Sequence, residues 1–165
     1  MEKLEVDKVI ICKQEEESEN YQKFKQIVKS KKIKVINVKK GDELTIDKDL
    51  KIKILWPKSE QIRENALNNN SIVAKLVYGN FSLLFTGDIE EIAEKQILAE
   101  YKNSNILNSS ILKVAHHGSK SSSIQSFLEK VQPKIALIGV GKNNLFGHPN
   151  VSVLERLEKL RSENL

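Results

Sequence analysis

The sequence predicts an α/β (α+β) domain, a sheet covered by helices, and three observations predict it. Hydrophobic residues make up 39% and charged residues 30% of 165 residues, enough apolar material for one core. Short β-branched runs come first, and strands then alternate with helices. The longest apolar runs, such as Ile135-Ala136-Leu137-Ile138, fall far short of the ~20 residues of a membrane span. The expectation is therefore a single domain, 1–165, that makes no membrane contact itself. The start, Met1-Glu2-Lys3-Leu4-Glu5-Val6, has no apolar stretch of the secretory kind. The lone Cys12 excludes an internal disulfide, and the net charge of +5 mildly favours a polyanionic partner.

Each element follows from its pattern. Residues 6–12 are apolar and β-branched and predict a strand. Residues 18–31 place Tyr21, Phe24, Ile27 and Val28 at helical spacing. Ile33, Val35, Ile36 and Val38 predict a strand over 32–38, and Gly41-Asp42 a turn. Residues 44–46 and 51–56 read as a hairpin that Pro57 ends. Residues 61–70 are polar and read as a loop. Strands follow over 72–78 and 81–85, joined by a tight turn at Gly79-Asn80. Residues 89–101 form an amphipathic helix with Ile92, Ala93, Ile97 and Leu98 on one face. A short strand over 111–115, a helix over 121–131, a strand over 133–140 and a helix over 150–162 complete the chain.

Three places can carry chemistry. Thr86-Gly87-Asp88 ends a strand and enters a helix, so Asp88 is either a helix N-cap or a carboxylate at the ligand-collecting edge of a sheet. His116-His117-Gly118-Ser119 also ends a strand. On extended backbone the two imidazoles point to opposite faces, and imidazole is a common metal ligand. Ser119 to Ser123 can cap the next helix or donate to phosphate oxygens. Gly147-His148-Pro149 closes the loop Gly141-Lys142-Asn143-Asn144-Leu145-Phe146 after the third strand. Each site taken alone has a structural reading: a cap, an incidental histidine pair, a turn. Together, every histidine of the chain falls at a strand-to-helix junction, and so does Asp88. If the three strands are parallel neighbours, all these groups share one edge, and an Asp plus His set there is a divalent-metal site of the hydrolytic kind. Lys113, Lys120, Lys142, Asn143, Asn144 and the serines suit a phosphate-bearing substrate, or are solvated loop groups.

Four segments carry a resemblance: Asn69-Asn70-Ser71-Ile72-Val73, Leu84-Phe85-Thr86-Gly87-Asp88-Ile89-Glu90, Leu112-Lys113-Val114-Ala115-His116-His117-Gly118-Ser119 and Gly141 through Pro149. In that order they resemble the metallo-β-lactamase superfamily, and within it the ComEC branch attached to the bacterial competence DNA-uptake channel. The resemblance implies an αββα sandwich and up to two divalent ions, Zn²⁺ or Mn²⁺. It implies Asp88, His116 and His117 as metal residues, and Asp88, His117 and His148 as catalytic residues. It implies His148 as a contact to substrate or leaving group, beside Ser119, Lys142, Asn143 and Asn144, whose polar groups suit a phosphate. The implied activity is a nuclease acting on DNA, in a parent that is a bacterial membrane protein.

The chain departs from that family in two respects. The early His-x-His-x-Asp-His type of motif is absent, and residues 1–67 contain no histidine. Asn68, Asn69 and Asn70 stand where a further histidine occurs. The chain therefore resembles the C-terminal part of the sandwich, lacking its N-terminal half. That predicts incomplete metal shells, weak activity alone, and a need for the missing half, a partner chain or self-association. Two alternatives remain: a non-catalytic domain that binds DNA or a partner subunit, and a lactonase-like small-molecule hydrolase.

Overall fold

The computed structural model describes residues 4–14 and 16–162; residues 1–3 of the leader reading lie outside them. The order is β1 (Lys8–Cys12), α1 (Glu19–Ser30), β2 (Lys34–Val38), β3 (Glu43–Asp47), β4 (Leu50–Trp56), α2 (Ala66–Asn69), β5 (Val73–Tyr78), β6 (Phe81–Phe85), α3 (Glu91–Glu100), β7 (Ile111–Lys113), a 3-10 turn (Ala115–Gly118), α4 (Gln125–Val131), β8 (Ile135–Leu137) and α5 (Val151–Ser162). The α/β reading holds: mixed strand orientations are flanked by helices.

β3 through β8 form one six-stranded sheet in sequence order. The β3–β4, β4–β5 and β5–β6 pairs are antiparallel; tight turns join β3 to β4 and β5 to β6, while the longer segment that contains α2 joins β4 to β5. The β6–β7 and β7–β8 pairs are parallel, each reached through helical crossovers. β1 and β2 pair in parallel as a separate sheet around α1, which Ser18 caps by accepting the Tyr21 N–H at 3.3 Å.

The six-stranded sheet buries its two faces unequally. One face carries Val73, Leu84 and Leu112, packed with Ile89, Ala93 and Ile97 beside α3, Phe127, Leu128 and Val131 of α4, and Val153 and Leu160 of α5. This is the main core. On the opposite face Ile54 and Ala74 meet Val38, with Ile36, Leu44, Ile52 and Ile72 around them, so β2 lies across the β3–β5 half. The β6–β8 half of that second face has no such cover among the described residues. Phe81, Phe85, Ile135 and Leu137, on one face by register, are 40–52% exposed.

Several elements differ from the sequence expectation. Residues 61–70 contain the short α2, tied down by buried Asn69 and Asn70. Asn70 accepts the Ile62 N–H at 3.0 Å and donates to Ile62 O and Ala66 O. The strand expected over 111–115 stops at Lys113, because residues 115–118 turn into a 3-10 corner. The helix expected from 121 begins at Gln125. No serine side chain caps it. Its leading N–H groups, from Ser123 and Ile124, are taken by the buried Glu94 carboxylate instead. Asp88 does not cap α3 either, since Glu90 holds the N-cap position.

Candidate functional site

Parallel strands end on the same side of a sheet, and β6, β7 and β8 deliver the three motifs there. Asp88 follows β6, the histidine pair follows β7, and the His148 loop follows β8. His117 Nε2 lies 3.7 Å from Asp88 Oδ1. The His116 ring is 6.5 Å from that of His117 and 5.9 Å from that of His148, edge-on in both cases. All three histidines and Asp88 therefore gather at one edge.

The histidine pair is not extended. His116 (φ 45°) and His117 (φ 55°) are both left-handed, and Gly118 (φ 78°) continues the turn. The opposite-faces expectation fails for this reason. Left-handed backbone costs a non-glycine residue roughly 1–2 kcal/mol, so surrounding bonds must hold it. The His116 N–H donates to Gly87 O at 3.0 Å and the Ser119 N–H to His116 O at 2.8 Å. Thr86 Oγ1 donates to Lys113 O at 2.6 Å, and Ser122 Oγ to Ala115 O at 3.0 Å. Gly87 and Gly118 permit the close approach. A Cβ on Gly87 would lie 2.6 Å from Ser71 Cβ, and one on Gly118 2.8 Å from Pro149 Cβ.

His117 is oriented by its other nitrogen. Nδ1 lies 2.5 Å from Gly139 O, and since a carbonyl only accepts, Nδ1 carries a proton; in the neutral tautomer this leaves the Nε2 lone pair toward Asp88. Two acceptors then face each other across 3.7 Å, an arrangement that a proton or a cation between them stabilises. That separation also suits neighbouring donors in one coordination shell. Asp88 and His117 thus fit a divalent ion as part of a shell. Among the described residues no group of three His, Cys, Asp or Glu side chains converges to complete it. His116 turns elsewhere: its buried Nδ1 faces Glu90 Oε1 at 3.4 Å without hydrogen-bond geometry.

Glu90 was not legible as a site residue, although its position two residues after Asp88 was the available signal. Its carboxylate accepts from Asn65 Nδ2 at 2.8 Å and Ser121 Oγ at 3.0 Å, while its own N–H donates to Asn69 Oδ1 at 3.1 Å. Asn69 and Asn70 are thereby buried fasteners. Asn68 lines a cleft of about 590 Å³ together with Cys12, Ser71, Gly87 and Asp88. Burial pushes the Cys12 thiol up, and its Sγ donates to Asn70 O at 3.3 Å.

The expected substrate contacts divide. Ser119 is buried and shares a 3.0 Å hydrogen bond with Ser121 Oγ. Asn144 is engaged within its own loop: Nδ2 donates to His148 O at 2.7 Å and Oδ1 accepts the His148 N–H at 2.9 Å. Lys142 and Asn143 are exposed on that loop. His148 Nδ1 is buried with no hydrogen-bond partner, and the ring stacks on Phe146 at 5.9 Å.

No protein-family model matches the chain. It is similar to the ComE operon protein 3 of Bacillus subtilis (strain 168), 36% identical over 138 residues or 84% of the chain. It is 36% identical over 113 residues to Recombination protein 2 of Haemophilus influenzae, and 36% identical over 90 residues to the competence protein ComA of Neisseria gonorrhoeae. These homologues point to a competence-related family. The chain covers 68% and 54% of its own length in the latter two matches. It spans only 17%, 14% and 13% of the three relatives, so it corresponds to a small part of each. None of its described helices is long and apolar enough to cross a membrane.

Proposed function

We propose that the chain is the C-terminal part of a metal-dependent hydrolase of the metallo-β-lactamase fold, acting on DNA phosphodiesters within a bacterial membrane protein of the competence family. The observation that carries this reading is the meeting of Asp88 and His117 at 3.7 Å across two parallel strand ends. Asp88 and His117 would hold a divalent ion, whose chemistry when bound would be Lewis-acid activation of water and of a phosphoryl oxygen. Gly139 O keeps His117 in the tautomer that can bind it. Lys142 and His148 meet the phosphate from the adjacent loop and neutralise charge that develops on it. Further donors would be needed to complete the shell, since no third His, Cys, Asp or Glu side chain converges among the described residues.

The test is cleavage of single-stranded DNA with Mn²⁺ or Zn²⁺, for this chain and for the longer natural protein, with Asp88→Ala as control. Metal-dependent cleavage by the longer protein that Asp88→Ala abolishes supports the reading, and this chain alone is expected to be weak. Equal activity of wild type and Asp88→Ala sinks it, and turnover of a lactone in place of DNA redirects it to small-molecule chemistry.

The open apolar face suits a partner subunit and the net charge of +5 suits DNA, which together favour a second reading, an accessory domain that binds DNA or a partner subunit without catalysis. DNA binding that persists in chelator and in Asp88→Ala, and weakens with salt, with no cleavage by the longer protein, selects it.

A further inference from the structure

The loop after β8 places two large apolar side chains in solvent directly beside the histidines. Leu145 is 99% and Phe146 82% exposed. The loop is not loose. Asn144 bonds Gly141 O at 3.2 Å and both backbone groups of His148, and the Asn150 N–H donates to Gly118 O at 2.8 Å. A braced loop that exposes an aromatic ring is preorganised for a contact. The Phe146 ring lies nearly parallel to His148, 22° between planes at 5.9 Å, and His148 in turn meets His116 edge-on.

We propose that Phe146, with Leu145 beside it, is a stacking platform for an unpaired base of a single-stranded nucleic acid whose backbone passes the His148 site. The inference rests on the phosphodiester reading above and adds to it the side chain that holds an unpaired base. A flat ring on a braced backbone beside the His148 imidazole offers a base a π-face, and Lys142 of the same loop is exposed to meet a phosphate. A duplex keeps its bases stacked inward and presents no free face to the ring. The sequence-tolerant character of stacking suits a site with no base-edge readers in this loop beyond Asn143.

The experiment is fluorescence anisotropy in chelator, with a labelled oligo-dT and a duplex of equal length, on wild type, Phe146→Ala, Phe146→Trp and Asp88→Ala. Far-UV circular dichroism verifies that each variant is folded. At ~1–3 kcal/mol per stacked base, Phe146→Ala weakens oligo-dT binding about 5- to 150-fold and leaves the duplex unchanged. Phe146→Trp restores binding, and its emission is quenched on titration, separable from the fully buried Trp56. Equal affinity of wild type and Phe146→Ala for oligo-dT overturns the platform while leaving the DNA reading intact. Equal losses for both DNAs also overturn it. Absence of oligo-dT binding by wild type overturns the platform, while the phosphodiester reading stands or falls separately on metal-dependent cleavage by the longer protein. Binding to anionic vesicles that Phe146→Ala abolishes, without an oligo-dT effect, assigns the tip to a lipid surface and overturns the platform.

Discussion

Glu94 of α3 accepts the backbone N–H of Ser123 at 2.6 Å and that of Ile124 at 2.8 Å, across 29 and 30 residues of sequence. One fully buried carboxylate thereby fastens the start of α4 and the end of the serine run that follows His117. Burial pushes its carboxyl from 4.5 up to about 7, against the pull of those two N–H groups and of Arg156.

The sign of the pH dependence follows. Between about 4.5 and about 7 the folded state holds a proton that the unfolded chain has released, so stability is greatest below this window and falls as pH rises through it. At ~1.4 kcal/mol for each tenfold change in proton affinity, the ceiling is about 3 kcal/mol. Urea unfolding at pH 5 and pH 8 measures it. Glu94→Gln keeps one acceptor, removes the titration and is expected to flatten the profile. A profile just as steep in Glu94→Gln would refute the assignment.

The corner at Gly118 has no room for a methyl group, which would sit 2.8 Å from Pro149 Cβ at a backbone φ of 78°. Gly118→Ala is therefore expected to cost roughly 1–3 kcal/mol and to loosen the His148 loop. Thermal melting gives the first quantity, and amide exchange at Asn144 and Asn150 gives the second. Gly141→Ala is the control, because nothing lies within 4 Å of its added Cβ.

Asp88 and His117 should behave as one unit toward a divalent ion. Calorimetric titration with Zn²⁺ is expected to show weak binding, reduced about 10-fold or more by Asp88→Asn and by His117→Gln. The double variant should lose little beyond either single one, and additive losses would separate the two residues. Chelator should leave the melting temperature nearly unchanged, since the main core is built without these side chains.

The open face of β6–β8 is expected to drive self-association of the isolated chain. Leu137 is 48% and Phe85 40% exposed there. Leu137→Ser with Phe85→Ser should lower the sedimentation coefficient at high concentration, with a stability change under ~1 kcal/mol for such exposed positions. Concentration-independent sedimentation of wild type argues against this.

Much of the fold was legible because strands with β-branched periodicity ended at clear turn signals. The alternation after Phe85 was enough to place Asp88, the histidine pair and His148 at three junctions. What local pattern could not supply were contacts made across the chain. The left-handed His116 exists because Gly87 O receives its N–H, and the late start of α4 because Glu94 arrives from another helix. Asn69 and Asn70 looked like a polar loop and are buried, because Trp56 Nε1 donates to Asn69 O at 2.7 Å and closes that loop over the core. Glu90 stayed hidden for the same reason: its partners Asn65 and Ser121 are 25 and 31 residues away.

The parallel run of β6, β7 and β8 separates two jobs within one small body. The main apolar core lies along the strands and under the helices, while Asp88 and the three histidines sit in the connections that leave one rim. Only the outer part of those connections, the largely exposed Gly141–Gly147 stretch, is free of the interior; there substitutions can change the rim's chemistry while Gly87, Gly118 and the buried serines stay fixed by packing.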